Sequence, residues 1–235
     1  MQCKYVITDC VDSYTNLALE QYLMSYVENG FYILYLWQND DTIVIGRNQD
    51  LYKECKVEEF LESGGHIARR KSGGGAVYHD LGNLNYSIIT TENDSKKLSY
   101  HTLVANVLKT INIQVDFNYR NDLTCHGKKI SGNAVYSENN IVCQHGTILI
   151  SSNIERMTRF LTPEKSKLER NYVKSVDSRV INLSELSDGI TVNQVKNAFV
   201  ESLKGEPLEY KKDINEISIL TQFYSSNNWV YRGER

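Results

Sequence analysis

Three consecutive glycines, which one serine separates from three consecutive cationic residues, are the feature that most constrains how this chain folds. Residues 69–75 read Arg-Arg-Lys-Ser-Gly-Gly-Gly. Because glycine adopts positive φ at no steric cost, residues 73–75 allow a sharp turn and a close approach to a ligand. Successive N–H groups in such a turn can form an anion-binding concavity, with the preceding cations at its mouth. The spacing fits neither GxxxxGK[ST] nor GxGxxG. This glycine segment, residues 69–75, therefore predicts either a phosphate or carboxylate site or a tight turn with a solvated basic flank.

The composition argues against several classes of protein. The chain has 235 residues and a formal net charge of −3, so it lacks the positive excess that attracts nucleic acid. It has no run of 18 apolar residues for a membrane span and no hydrophobic signal core at its start. Five scattered cysteines without a CxxC pair favour buried thiols over a zinc site or disulfides. We expect a cytoplasmic protein that binds neither nucleic acid nor a membrane.

The hydrophobic pattern alternates irregularly between strands and helices. Strands are predicted at 31–37, 42–45, 66–70, 84–89, 113–117, 128–136 and 141–150. Helices are predicted at 54–63, 100–111, 192–203 and 214–224. In this interpretation strand 66–70 enters the glycine segment and strand 84–89 leaves it. Because several strand pairs are joined by short turns, we expect an α/β fold of the α+β type with mixed, largely antiparallel sheets flanked by helices.

A second group of residues follows the glycines at some distance along the chain. Residues 127–134 read GKKISGNA, and Asn121-Asp122-Leu123 precede them. A lysine is a compact cation suited to bridging two anions. If a carboxylate must attack the α-phosphate of ATP, two unit charges ~4 Å apart repel by about 4 kcal/mol at an effective dielectric of 20. A lysine between them relieves this repulsion and stabilises the transition state. The alternative for Lys128 and Lys129 is a pair of solvated hairpin lysines.

The chain resembles the lipoate–protein ligases of the biotin/lipoate ligase superfamily. Residues 69–83 carry the pattern RRxSGGGxVxHDxGN, and the segments GKKISGNA, QHGT and KSVDSRV follow it in order at 127–134, 144–147 and 174–180. The likeness also includes residues 12–20, 36–49, 121–123 and 229–231. Biotin ligases share the fold but use a different glycine/arginine loop, which this sequence lacks.

The resemblance implies what the chain does. It implies one catalytic domain over residues 1–235, without the small accessory domain of many family members. The implied enzyme uses ATP with Mg²⁺ to activate (R)-lipoate to lipoyl-AMP and then transfers the lipoyl group to a lysine of an acceptor. The implied acceptors are apo lipoyl domains of 2-oxoacid dehydrogenase E2 subunits and the glycine-cleavage H protein. A separate accessory-domain protein is a further candidate partner.

The resemblance also assigns roles to residues. Lys129 matches the family's essential lysine, which holds the lipoate carboxylate and the α-phosphate, and Asp122 falls on the nucleotide side. The residues placed at or near the lipoate and lipoyl-AMP pocket are Trp37, Arg70, Ser72, Gly74, Gly75, Ala76, Val77, Tyr78, His79, Asn83, Asp122, Lys129 and His145. It identifies no metal ligand. Trp37 fits a place in the core equally well, and both histidines fit hydrogen-bonded structural roles.

Two other functions stay open on the sequence alone. One is a lipoyl or octanoyl transferase that takes a preactivated acyl group. Related octanoyl transferases hold that group on a cysteine upstream of the GKK strand, where this chain offers only Cys125 close by. The other is a module that sequesters lipoate or lipoyl-AMP without turnover, against which the presence of Lys129 argues.

Overall fold

The computed structural model describes residues 1–117, 122–162 and 180–231. Asn121 and residues 174–179 of the KSVDSRV segment lie outside this part of the chain. The strands are β1 Gln2–Ile7, β2 Phe31–Trp37, β3 Thr42–Ile45, β4 His66–Arg69, β5 Val77–His79, β6 Asn83–Thr91, β7 Asp116–Phe117, β8 Leu123–Cys125, β9 Lys128–Ser131, β10 Asn133–Glu138, β11 Ile141–Leu149 and β12 Glu206–Pro207. The α-helices are α1 Ser13–Leu23, α2 Leu51–Glu54, α3 Val57–Glu62, α4 Glu92–Ser95, α5 Tyr100–Thr110, α6 Ile154–Phe160, α7 Val192–Ser202, α8 Ile214–Ser225 and α9 Asn227–Val230.

Three sheets organise these elements. The largest has the strand order β10-β11-β6-β2-β1-β12, and β3 lies between β4 and β5 in a second sheet. Strands β7, β8 and β9 form the third. Only the β1–β2, β1–β12 and β3–β4 pairs are parallel among the described strands. The expectation of an α+β fold with mixed, largely antiparallel sheets is confirmed.

The middle of the largest sheet is buried on both faces, and β2 in it is apolar at every position. Strand residues alternate between the two faces. Ile33, Tyr35 and Trp37 pack in a cluster with α1 and α8, whereas Leu34 and Leu36 pack in another with α5 and α7. Helices therefore cover both sides of β2 and β6 in the middle of this sheet. No helix of the described residues is long and apolar enough to cross a bilayer.

Several predicted elements have different boundaries in the structure. The strand that leaves the glycine segment is β5, not residues 84–89, and β5 pairs antiparallel with β3. Its three residues are too few to show a periodicity. The helix predicted at 54–63 begins only at Val57, as α3, because Cys55 is extended (φ −146°) and separates it from the short helix α2. The strand predicted at 113–117 is reduced to β7.

The most consequential difference concerns the strand predicted at 128–136. It is divided into β9 and β10, which belong to different sheets. The division falls at Gly132, whose carbonyl accepts from the Thr147 backbone N–H and whose own N–H donates to Thr147 Oγ1. A Cβ at position 132 would lie 2.8 Å from Lys129 Nζ. Gly132 thus lets the chain change sheets and leaves room for the Lys129 side chain beside the turn.

Candidate active site

Two adjoining cavities share one wall. The first has a volume of about 130 Å³ and the second about 200 Å³. Ala76, Val77, Lys129, Gly132 and Thr147 line both. The first is also lined by Leu17, Trp37, Val44, Arg70, Gly74, Gly75, His79, Asn85, Asn133, Ala134, His145 and Gly146. The second is also lined by Glu54, Tyr78, Ser131, Leu149, Met157, Leu161 and Val180.

Lys129 is the cation in the shared wall. Its Nζ lies 2.9 Å from Asp122 Oδ1, and its side chain is 38% exposed. The ammonium group therefore contacts one carboxylate, while the side chain as a whole stays partly accessible. An anion in either cavity would meet the same charge, which is the arrangement that a lysine bridging two anions requires.

Arg69 does not form the cationic mouth that the sequence suggests. Its side chain is 1% exposed. The guanidinium Nε donates to the carbonyls of Trp229 and Val230, and Nη1 donates to the carbonyls of Gly46, Arg47 and Gln49. Buried carbonyls need donors, and one guanidinium satisfies several of them at once. Arg69 therefore joins the C-terminal helix α9 to the segment after β3.

Arg70 plays a similar part inside the glycine segment. Its Nε donates to Ser72 Oγ, and its Nη2 donates at 2.7 Å to the carbonyls of Gly73 and Gly75. Burial lowers the pKa of the Arg70 guanidinium to about 10, although the charge of Glu20 opposes the shift. Arg70 lines the first cavity, but its donors hold the turn in shape. Gly74 in that turn has φ +90°, a conformation that strains other residues.

Glu20 is a buried carboxylate that the sequence interpretation missed. Its Oε1 accepts from Ser87 Oγ at 2.5 Å and from His145 Nδ1 at 2.8 Å. Ser87 Oγ in turn accepts from Trp37 Nε1 at 3.0 Å, and His145 Nε2 lies 2.6 Å from Ser72 Oγ. One carboxylate oxygen thus connects the indole in one wall of the first cavity with the glycine segment in another.

The ionisation of Glu20 follows from its partners. Burial by itself would raise the pKa of this carboxyl, but the interaction with His145 and the hydrogen bonds from His145 and Ser87 outweigh it, so the pKa is lowered. A signal was present in the sequence, since Asn16, Glu20 and Leu23 share the buried face of α1. A glutamate on that face requires buried partners.

Glu20, Cys143 and His145 also form a group with metal-ligand spacing. Their ligand atoms lie within 4.8 Å of one another. Burial, followed by the charge of Glu20, raises the pKa of the Cys143 thiol well above its usual value, and His145 Nδ1 already donates to Glu20. A neutral thiol is a poor metal ligand. We assign these residues to the hydrogen-bond network rather than to a metal centre.

The remaining predicted residues occupy different positions around the cavities. Tyr78 lines the second cavity and not the first, and its hydroxyl donates to Asp41 Oδ1. Ser72 lies behind the first cavity, one hydrogen bond from Arg70. Asn83 lies behind it as well, and its Nδ2 donates to Asn85 Oδ1. Trp37 belongs to the core and to the cavity wall together, with an exposure of 3%.

Known proteins are similar to this chain in sequence. Residues 12–204 match the family model of the lipoyl protein ligase A/B catalytic domain. Lipoate-protein ligase A of Psychrobacter cryohalolentis is 34% identical over 213 residues, which cover 91% of this chain and 62% of that protein. Lipoate-protein ligase A of Bdellovibrio bacteriovorus is 33% identical over 242 residues, which cover 97% of this chain and 71% of that protein.

The fold is also similar to that of a solved relative. The crystal structure of P. falciparum LipL1 in complex with lipoate has a TM-score of 0.81 and 28% sequence identity, and the match covers 99% of this chain and 74% of that one. The chain spans between 62% and 71% of the length of the two curated relatives above. By sequence and by fold, the chain belongs to the lipoyl protein ligase A/B catalytic domain family.

Proposed function

We propose that the chain is an ATP-dependent lipoate–protein ligase, which activates lipoate to lipoyl-AMP and transfers the lipoyl group to a specific lysine of an acceptor lipoyl domain. The observation that carries the proposal is the position of Lys129 Nζ in the wall shared by the two cavities. The name of the curated relatives and the lipoate in the P. falciparum structure support the choice of substrate.

The first cavity suits the lipoyl group. Leu17, Trp37 and Val44 give it apolar walls, and mostly apolar pockets with a few polar groups bind small ligands of this kind. The lipoate carboxylate would lie at Lys129, with the α-phosphate of ATP on the side of the second cavity. The carboxylate oxygen then attacks the α-phosphorus, the bond to the bridging oxygen breaks, and pyrophosphate leaves. The lysine offsets the repulsion of the two anions, about 4 kcal/mol at ~4 Å and an effective dielectric of 20.

The second step uses the same charge. The neutral ε-amine of the acceptor lysine attacks the acyl carbon of the mixed anhydride. An amide bond forms, the C–O bond to the phosphate breaks, and the amine loses its proton while AMP leaves. Lys129 stabilises the phosphate charge that develops on AMP. No thiol takes part in this sequence of steps.

Mg²⁺ would accompany the phosphates of ATP. This ion prefers oxygen ligands. The described carboxylates at this place are Asp122, which contacts Lys129, and Glu54, which lines the second cavity. Both offer the carboxylate oxygens that the ion prefers, and the bound ion would neutralise part of the phosphate charge.

The cysteines do not favour a transferase with an acyl-thioester intermediate. Cys125 is buried and its Sγ donates to the Gln114 carbonyl. Burial, followed by the charge of Asp116, raises the pKa of this thiol, whereas an acyl-carrying cysteine needs a depressed pKa. The alternative that we retain is a chain that transfers preformed lipoyl-AMP and needs a separate accessory-domain protein for the activation step.

The test measures the mass of an acceptor protein. The purified chain is incubated with (R)-lipoate, ATP, Mg²⁺ and either an apo lipoyl domain of an E2 subunit or an apo glycine-cleavage H protein. We expect the mass of one lipoyl group on the acceptor, and none when ATP is omitted. A parallel reaction supplies lipoyl-AMP instead of lipoate and ATP. Transfer from lipoyl-AMP alone would establish the partner-dependent alternative, and no transfer from either donor would contradict both.

A further inference from the structure

The orientation of two buried amides determines the tautomer of His79. Asn16 Nδ2 lies 3.0 Å from the Cys10 carbonyl and 2.7 Å from the Gln38 carbonyl, and both of these oxygens can only accept. The same Nδ2 lies 3.0 Å from Asn39 Oδ1. Asn39 therefore turns its own Nδ2 to His79 Nδ1, at 3.1 Å. Because an amide NH₂ only donates, Nδ1 of His79 is the acceptor.

The single proton of a neutral imidazole must then lie on Nε2. Burial, reinforced by the charges of Arg70 and His145, lowers the pKa of His79 to about 3, so the ring stays neutral under ordinary conditions. The Nε2 atom is buried and has no hydrogen-bond partner among the described residues. A buried donor without an acceptor is unfavourable, so a bound ligand that supplies an acceptor to this N–H group would be favoured.

His79 lies at the part of the first cavity away from Lys129. Val77 and His79 are on the same face of β5, two residues and roughly 7 Å apart. Val77 lines both cavities, whereas His79 lines only the first. The Trp37 ring lies beside it, with a centroid distance of 6.1 Å. Asn85 also lines the first cavity, opposite Trp37 in the sheet register, and its Nδ2 is likewise without a partner among the described residues.

We propose that His79 is a specificity-determining residue, whose Nε2–H donates a hydrogen bond to a sulfur of the lipoyl dithiolane ring. The inference rests on the proposed function and adds how the acyl group is selected. With the carboxylate at Lys129, the far end of the acyl group reaches the region of His79 and Trp37. Sulfur is a weak acceptor and a methylene group is none. A saturated chain of the same length would leave the donor unpaired, and a site with an unpaired donor discriminates against such a ligand.

The test compares two acids of the same shape. 5-Cyclopentylpentanoate has the carbon skeleton of lipoate with methylene groups in place of both sulfurs. Binding of each acid to the full chain is measured by isothermal titration calorimetry without ATP. We expect the wild-type protein to bind lipoate about fivefold more tightly than the analogue, as one modest hydrogen bond would give. Equal affinities of the wild type for the two acids would overturn the inference without any variant.

Two variants separate the sulfur contact from general packing. In His79→Asn the amide oxygen can still accept from Asn39, but the donor at the position of Nε2 is lost, so we expect lipoate to bind about fivefold more weakly and the analogue unchanged. The matched variant His79→Gln keeps an N–H near that position and should retain the preference. Equal weakening of both acids in His79→Asn would indicate packing alone and overturn the inference, as would an unchanged preference. A wild type that binds neither acid would contradict the proposed function itself.

Discussion

The glycine segment, residues 69–75, and the β8–β9 hairpin each bring one cation to the first cavity, Arg70 and Lys129, and the two regions use their cations in different ways. Arg69 and Arg70 are almost completely buried, and their donors bind backbone carbonyls. Lys129 is 38% exposed and contacts the Asp122 carboxylate. The arginines hold backbone segments in place, and the lysine presents its charge to the cavity.

The difference follows from the chemistry of the two side chains and of their surroundings. Buried backbone carbonyls need donors, and Arg70 donates to those of Gly73 and Gly75 in the turn, whereas Arg69 donates to five carbonyls outside the turn. The planar guanidinium supplies up to five N–H groups in a fixed fork, whereas a lysine supplies a compact charge on a flexible stem. A basic run in the sequence therefore does not by itself identify the residue that binds an anion.

The largest effect is expected at Lys129, on activity. Lys129→Ala removes the charge between carboxylate and phosphate, and we expect acyl transfer to fall by about 100- to 1000-fold. Its thermal unfolding midpoint should change little, since the side chain is partly exposed. The neighbouring Lys128, which is exposed on the same strand, provides the matched control. Equal loss of activity in Lys128→Ala and Lys129→Ala would remove the distinction between structural and functional cations.

Arg69 should show the opposite behaviour. Arg69→Lys leaves fewer donors for the five carbonyls that the guanidinium now satisfies. We expect the free energy of unfolding to fall by about 3 kcal/mol, because unsatisfied buried acceptors are costly. Urea denaturation followed by fluorescence measures the loss. If the variant is as stable as the wild type but no longer binds lipoate, Arg69 is not the structural cation that its contacts indicate.

The sequence predicted elements more reliably than it predicted partners. Strand β2 is recognisable as an unbroken apolar run, and helix α5 is recognisable because its apolar residues repeat with the helical period. The break at Gly132 is not, since a single glycine inside an alternating run is also compatible with one continuous strand. The sheet to which each half belongs is decided by its hairpin partner, which is β8 for β9 and β11 for β10, and β8 has only three residues, too few to show a periodicity.

The site residues show the same limit. The resemblance placed Lys129, His79 and His145 near a pocket, and the structure brings all three to the first cavity. The burial of Arg69 could not be predicted, because its acceptors include carbonyls 160 and 161 residues away. The role of Glu20 could not be predicted for a related reason, since its partners Ser87 and His145 lie on two other elements. Local sequence patterns predict the helix or strand to which a side chain belongs, whereas its hydrogen-bond partners depend on how those elements pack together.

The third expected effect is a dependence of the free energy of unfolding on pH, which the buried ring of His79 causes. The pKa of this ring is about 3 in the folded chain, compared with 6.5 when it is free. Between these values the unfolded chain binds a proton that the native chain does not, so stability rises with pH in this window and is lost as pH falls. From about pH 7.5 to about pH 5 we expect His79 to lower the free energy of unfolding by about 2 kcal/mol.

Denaturation of His79→Asn at both pH values checks this expectation. The variant should lose that part of the pH dependence. His66→Asn serves as control, because His66 is exposed and its removal should leave the dependence in place. A wild-type pH dependence that survives unchanged in His79→Asn would mean that the ring is protonated in the native state, and the tautomer assignment would fail with it.

The smallest effect is expected for the third cation of the glycine segment. Lys71 forms an ion pair with Glu138 of β10, with an Nζ–Oε2 distance of 2.8 Å. Since the Glu138 side chain is 42% exposed, we expect Lys71→Ala to lower the free energy of unfolding by about 0.5 kcal/mol, and less at high salt. A double-mutant cycle with Glu138→Ala measures the coupling. Activity should stay within about twofold of the wild type, because Lys71 lines neither of the two cavities. If instead Lys71→Ala impaired acyl transfer as strongly as Lys129→Ala, the glycine segment would itself supply a charge to the reaction, and the division between the two regions would no longer hold.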